Sequence, residues 1–302
     1  MAALDALGAE PMRDPGFSET APERLASERE PLRARLDGMH EVGLRLDALR
    51  EPPFRSLSGP DTRASAPCFR VLTLSDDEAR TALGRAEEHS GAFAQMAFFL
   101  ATAARAHHAV FRARKSDPGT YVVTIPVQTQ RKGGTGPVFQ NHLSILFFGL
   151  PCADMADLGP LTRSIRGQLA EMMRNRLDQR WADGLRLARR VPSSLLIRMM
   201  RRRFRGEIAS FFHSFTGAFA NDVEALLGTR VVNAYHVPTV SRPPGTGLFV
   251  GTHGGRLNVT LSWRRDALSD EEADVLLESL RSDLLDDAHA PPRAPRAAGG
   301  RY

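Results

Sequence analysis

Pro243–Trp263 reads PPGTGLFVGTHGGRLNVTLSW. Leu248–Thr252 and Leu257–Trp263 are β-favouring runs, and His253-Gly254-Gly255-Arg256 stands between them. Two adjacent glycines supply the backbone freedom that a tight hairpin turn demands. The stretch therefore predicts an antiparallel ribbon. Downstream, Ser269 with Glu272 has the spacing of a capping box and opens a helix to about Leu285.

Upstream, strands and helices alternate. Cys68–Leu74 is a strand, and Ser75 with Glu78 forms a second capping box, opening a helix to about Glu88. Ala92–Arg112 is a helix apolar on nearly every side, which belongs in a core. Asp117-Pro118-Gly119 turns the chain into the strand Thr120–Gln128. Arg131–Pro137, with three glycines, is a loop, and Asn141–Leu150 reads as a buried strand. Residues 157–181, 182–190 and 193–204 are helical, interrupted at Pro192. Ile208–Phe215 is a strand, and Gly228–Val240 is expected to hold one more. The fold class that follows is α/β: a mixed β-sheet with helices packed mainly on one face. Residues 1–67 are expected to be partly disordered with one helix over Glu28–Leu49, residues 68–287 to form the folded lobe, and residues 288–302 a disordered tail.

The 302 residues, 42% apolar and 25% charged, exclude collagen, a long coiled coil and wholesale disorder. Ala92–Ala104 is the longest largely apolar run and falls short of the ~20 residues that cross a bilayer. No secretory signal pattern is visible, so a cytoplasmic protein is expected. Cys68 and Cys152 read as small apolar residues in a reducing compartment.

The net charge of +5 conceals a basic centre. Residues 163–205 hold thirteen arginines against Glu171, Asp178 and Asp183, whereas residues 266–287 hold nine acids against Arg281. One reading pairs the basic face with the acidic C-terminal helix. Another lays it on a membrane surface, because Leu195–Phe204 mixes apolar and cationic residues at near-helical spacing. Few aromatics stand among the arginines, so no nucleic-acid partner is expected. There is no P-loop, dinucleotide fingerprint, nucleophile elbow or metal-ligand spacing, and no metal site is expected.

The order of elements from Phe54 to Leu285 resembles the C-terminal half of the chloramphenicol acetyltransferase-like superfamily, which includes wax ester synthase/diacylglycerol acyltransferases, alcohol acyltransferases and peptide-synthetase condensation domains. The stretches carrying the resemblance are FRVLTLSDDEARTAL (69–83), SGAFAQMAFFLATAARA (90–106), VVTIPVQTQR (122–131), QNHLSILFFGLP (140–151) and Pro243–Trp263. It implies O- or N-acyl transfer from coenzyme A or a carrier-bound thioester, a co-substrate rather than a bound cofactor, to an alcohol or amine. By the same resemblance Asn141 and Ser144 line the acyl-transfer site, and Ser214 and Thr216 end a strand where the substrates meet. His107-His108 is similar to the start of the family's His-His-x-x-x-Asp signature, which makes His108 a candidate base, but the sixth position is Arg112. The family's Asn-Asp pair falls on Gln95 and Met96. Residues 1–67 contain no His-His-x-x-x-Asp motif, so that lobe is expected from a second polypeptide, from a second copy, or from sequence upstream of a start codon assigned too far downstream. A non-catalytic half-domain for binding or docking is the alternative.

Overall fold

The computed structural model describes residues 32–49, 53–59, 65–91, 94–128, 143–188, 191–203, 206–218 and 223–285. In chain order the elements are α1 (Leu32–Ala48), β1 (Pro67–Leu74), α2 (Asp76–Ser90), α3 (Gln95–Ala113), β2 (Thr120–Gln128), β3 (Leu143–Pro151), α4 (Leu158–Arg174), α5 (Leu177–Ala188), α6 (Ser193–Arg203), β4 (Phe211–Ala218), β5 (Ala225–Leu226), β6 (Thr229–Arg230), β7 (Thr246–His253), β8 (Arg256–Arg264) and α7 (Asp270–Leu285). Six strands make one sheet in the order β1-β8-β7-β4-β2-β3, and β5 pairs with β6 apart from it. The β7–β4 and β4–β2 pairings are parallel. The β1–β8, β8–β7 and β2–β3 pairings are antiparallel. The mixed sheet expected from the sequence is therefore present.

Local chemistry sets the elements. Gly254 and Gly255 take φ of 54° and 84°, and His253 pairs with Arg256 across them, closing the β7–β8 hairpin. Ser75 caps α2: its hydroxyl accepts from the Glu78 amide, and the Glu78 carboxylate accepts from the Ser75 amide at 2.9 Å. Ser269 and Glu272 repeat the arrangement at α7. Helix α3 is buried from Ala97 to Ala104 without a break because it lies on the sheet and is flanked by α2, α4 and α7. Its alanines let these elements approach closely. Tyr121, Val123, Leu146, Phe148, Phe211, Leu248, Val250, Val259 and Leu261 meet it in a single core.

The sheet ends at β1 and β3. On β3 the Gln168 amide substitutes for a neighbouring strand: Nε2 donates to the Gly149 carbonyl at 2.8 Å, and the Gly149 amide donates to Oε1 at 3.1 Å. A Cβ on Gly149 would stand 2.5 Å from Leu49 Cδ2, so a larger residue there would have to push the Leu49 side chain aside.

Two expectations are corrected. Gly228–Val240 adds no strand to the sheet. Only Thr229–Arg230 pairs there, with Ala225–Leu226. The chain from 231 to 240 instead crosses the face of β7 and β8 opposite α3. Side chains there bond it: Thr260 donates to the His236 carbonyl at 2.9 Å, Arg264 donates to the Val240 carbonyl at 3.0 Å, and the Asn258 and Asn233 amides pair reciprocally at 3.0 Å. Among the described residues the acidic C-terminal helix also makes no ion pair with the basic segment. Asp270 and Asp274 meet Arg70 of β1, while Glu272 and Asp283 meet Arg114 and Arg105 of α3. Its Arg281 meets Glu78. Cys68 and Cys152 are half-buried free thiols. No described helix is long and apolar enough to cross a membrane.

Candidate functional site

Helix α3 runs antiparallel to β4. His107 stacks on Phe211 at the start of the strand, with centroids 3.9 Å apart, and Phe99 stacks on Phe215 near its end at 4.9 Å. Eight helical residues and four strand residues both advance by roughly 12–13 Å, so the two stacks fall in step. The N-terminus of α3, with Gln95 and Met96, therefore lies at the C-terminal end of β4. Ala94 supplies no side-chain cap, which leaves the leading α3 amides without that partner.

At this end the sheet opens. β2 and β4 pair only at Val123–Phe211 and Thr124–Phe212. Their C-terminal portions, Ile125–Gln128 and His213–Ala218, continue without pairing to each other. A bulge between Phe215 and Gly217, with Gly217 at φ 64°, turns the end of β4 further. Crevices outside the carboxyl ends of parallel strands are where α/β sheets present ligands to backbone and side-chain donors.

Four sequence candidates reach this end or leave the description. Ser214 is half-buried on the face opposite α3, level with Phe249 of β7, and its hydroxyl makes no hydrogen bond among the described residues. The Thr216 hydroxyl donates to the Val250 carbonyl at 3.1 Å. Ser144 opens β3 opposite Val127 and is buried, with its hydroxyl donating to the Asp178 carbonyl at 2.5 Å. Asn141 lies outside the described residues.

His108 sits elsewhere. Its Nδ1 is 3.0 Å from the Tyr121 hydroxyl, at the start of β2. Tyr121 and Val127 are six residues apart on that strand, about 20 Å. His108 is thus not brought together with Ser144, Ser214 or Thr216. Burial lowers its pKa, and the nearby Arg112 lowers it further. Asp117 and Cys152 join the same cluster. Burial and the Asp117 carboxylate push the Cys152 thiol up to about 12, which suppresses the thiolate.

Two further imidazoles lie in the core, and of these His213 was not singled out in the sequence. His213 points toward α3 and is fully buried, and burial pushes it down to about 3, with His107 adding to the effect. His107 is buried too and is pushed down to about 4, although Nδ1 lies 2.9 Å from the Ala103 carbonyl. Both are neutral core residues, closed off from the crevice. The signal was strand parity: His213 shares its face with Phe211 and Phe215. Among the described residues no three His, Cys, Asp or Glu side chains gather as a metal site.

Solved structures share this arrangement. A trichothecene 15-O-acetyltransferase from Fusarium sporotrichioides superposes with a TM-score of 0.64 at 15% identity, over 87% of this chain and 55% of that one. The condensation domain involved in chain release from the enacyloxin polyketide synthase superposes at 0.54 and 15% identity, over 91% and 51%. The first condensation domain of the calcium-dependent antibiotic synthetase superposes at 0.52 and 18% identity, over 87% and 52%. This is the fold of the chloramphenicol acetyltransferase-like superfamily. At these identities the likeness is one of fold. The chain spans about half the length of these superfamily structures. No family model matches the sequence, and no curated protein does.

Proposed function

We propose that this chain is one lobe of an acyltransferase, in which the crevice between β2 and β4 receives an acyl thioester of coenzyme A or of a carrier. The acceptor is an alcohol or amine, with wax ester or acylglycerol formation as the lipid form of the reaction. The observation that carries the reading is the Ser214 hydroxyl, which has no hydrogen-bond partner among the described residues and stands at the splay of the parallel strands, on the face opposite α3. A thioester carbonyl that accepts from the Ser214 hydroxyl gains an oxyanion donor as the tetrahedral intermediate forms. None of the three histidines of α3 and β4 offers this reading a proton-accepting imidazole, since His107 and His213 are sealed in the core and His108 bonds Tyr121.

A second lobe carrying His-His-x-x-x-Asp, on another polypeptide or a second copy, would supply it. An exposed apolar strip supports that expectation: Val223, Leu226, Leu227, Val232, Tyr235 and Val237 are uncovered within fifteen residues, Leu227 to 74%. The second reading is a binding or docking half-domain without turnover. It is favoured by Ser144, whose hydroxyl is already spent on the Asp178 carbonyl, and by Gln95 and Met96 in place of Asn-Asp. The test follows thiol release from acyl-coenzyme A with short and long alcohols, for the chain alone and after adding a polypeptide with the missing motif. Release only in the mixture is expected. No release in any combination, with acyl thioester still bound, favours the half-domain.

A further inference from the structure

We infer that α6 is a docking helix for an anionic lipid bilayer surface. Its sequence, SSLLIRMMRRR, carries four arginines and no acid. Leu195, Arg198, Met199 and Arg202 recur at intervals of three and four, so they share one helical face. All four are exposed, Leu195 by 49% and Met199 by 56%. Leu195 and Met199 are therefore not packed on their own protein. α6 has no substantial packing partner among the described elements.

Charge identifies the occupant. Four acids of the C-terminal helix are engaged elsewhere: Asp270 and Asp274 pair with Arg70, Glu272 with Arg114 and Asp283 with Arg105. Arg198 and Arg202 make no ion pair among the described residues. An exposed leucine and methionine flanked by guanidinium groups match a lipid surface in two ways. The apolar pair enters the headgroup–acyl boundary to about 5–10 Å, while the arginines stay at phosphate level. A nucleic-acid backbone would use the arginines but leave Leu195 and Met199 unexplained, and α6 has no aromatic side chain to stack on bases. The chain from Arg203 to Phe211 is eight residues, so the docked helix stays within roughly 29 Å of the start of the strand that carries Ser214. The surface is independent of the acyl-transfer reading.

The experiment is flotation of the full chain with phosphatidylcholine vesicles containing zero, 15 or 30 mol% phosphatidylglycerol, at low and high salt. Binding should rise with anionic lipid and be lost at high salt. Arg198→Gln with Arg202→Gln should weaken partitioning on the order of 25-fold, about fivefold per arginine. Leu195→Ser with Met199→Ser should weaken it while leaving the salt dependence in place. Both pairs are surface changes, and unchanged circular dichroism establishes that the variants fold. Equal binding to neutral and anionic vesicles, anionic binding undiminished in both variants, or binding confined to RNA or an acidic protein would each overturn the inference.

Discussion

The imidazole of His107 lies flat on the ring of Phe211, 3.9 Å between centroids and 8° between planes. Burial makes a charged imidazole costly there, and His107 adds to the cost of charging His213 on the next inward position of β4. Both rings have folded pKa values depressed below the ordinary 6.5, to about 4 and about 3. The unfolded chain therefore takes up protons first as pH falls. Their contribution is complete above pH 6.5, erodes below it, and continues to erode until the folded values are reached. The loss by pH 5 is on the order of 2 kcal/mol per imidazole. Urea titrations between pH 8 and 5 should show it, and His213→Leu should flatten the slope. A slope unchanged in that variant would assign the acid sensitivity to carboxylates.

Phe99 joins the core to the crevice. It stacks on Phe215 at 4.9 Å and meets Phe98 edge-on at 5.7 Å. Phe99→Ala removes a side chain that is 1% exposed and should cost about 3–5 kcal/mol. Denaturant unfolding measures it. A loss below about 1 kcal/mol would mean that Phe215 collapses into the gap.

Much of this architecture was legible from local patterns. The Gly254-Gly255 turn, both Ser/Glu capping boxes and the all-round apolar α3 are decided by residues within a few positions of one another. Gly228–Val240 was not legible. Its extended backbone is satisfied by Asn258, Thr260 and Arg264, more than twenty positions away in sequence. The pairing of α7 was hidden for the same reason. A charge count cannot reveal that Arg105 of α3 and Arg114, just past its end, point at it. Within the candidate site, Ser214 and Thr216 were found by resemblance. The splay beside them is a property of strand pairing, and no residue near Ser214 announces it.

Arg114 binds four acceptors at once. It forms a bidentate pair with Glu272 at 2.6 and 2.7 Å and donates to the Leu57 and Ala267 carbonyls, both at 2.8 Å. Both partners of the ion pair are partly exposed, so solvent screens it. Arg114→Ala is expected to lower stability by about 1–2 kcal/mol, and Arg114→Lys should recover only part of that, because an ammonium cannot match the fork. Thermal unfolding of the two variants checks the order. Full recovery by lysine would reduce the role to charge.

Cys152 should be slow toward thiol reagents at neutral pH despite being only half-buried. Its thiol is pushed up to about 12 by burial and by Asp117. Asp117→Asn should speed labelling at Cys152, followed in a Cys68→Ser background. Labelling as fast as a free cysteine in the unsubstituted protein would contradict this electrostatic picture.

The account stands most directly on where an acyl thioester binds. Hydrogen–deuterium exchange of the full chain, with and without acyl-coenzyme A, measures that location. The expected result is protection in Ile125–Gln128, in Ser214–Ala218 and in the first turn of α3, with the protection reduced by Ser214→Ala. Protection confined to other elements, or none at saturating thioester in the presence of a His-His-x-x-x-Asp lobe, would contradict it.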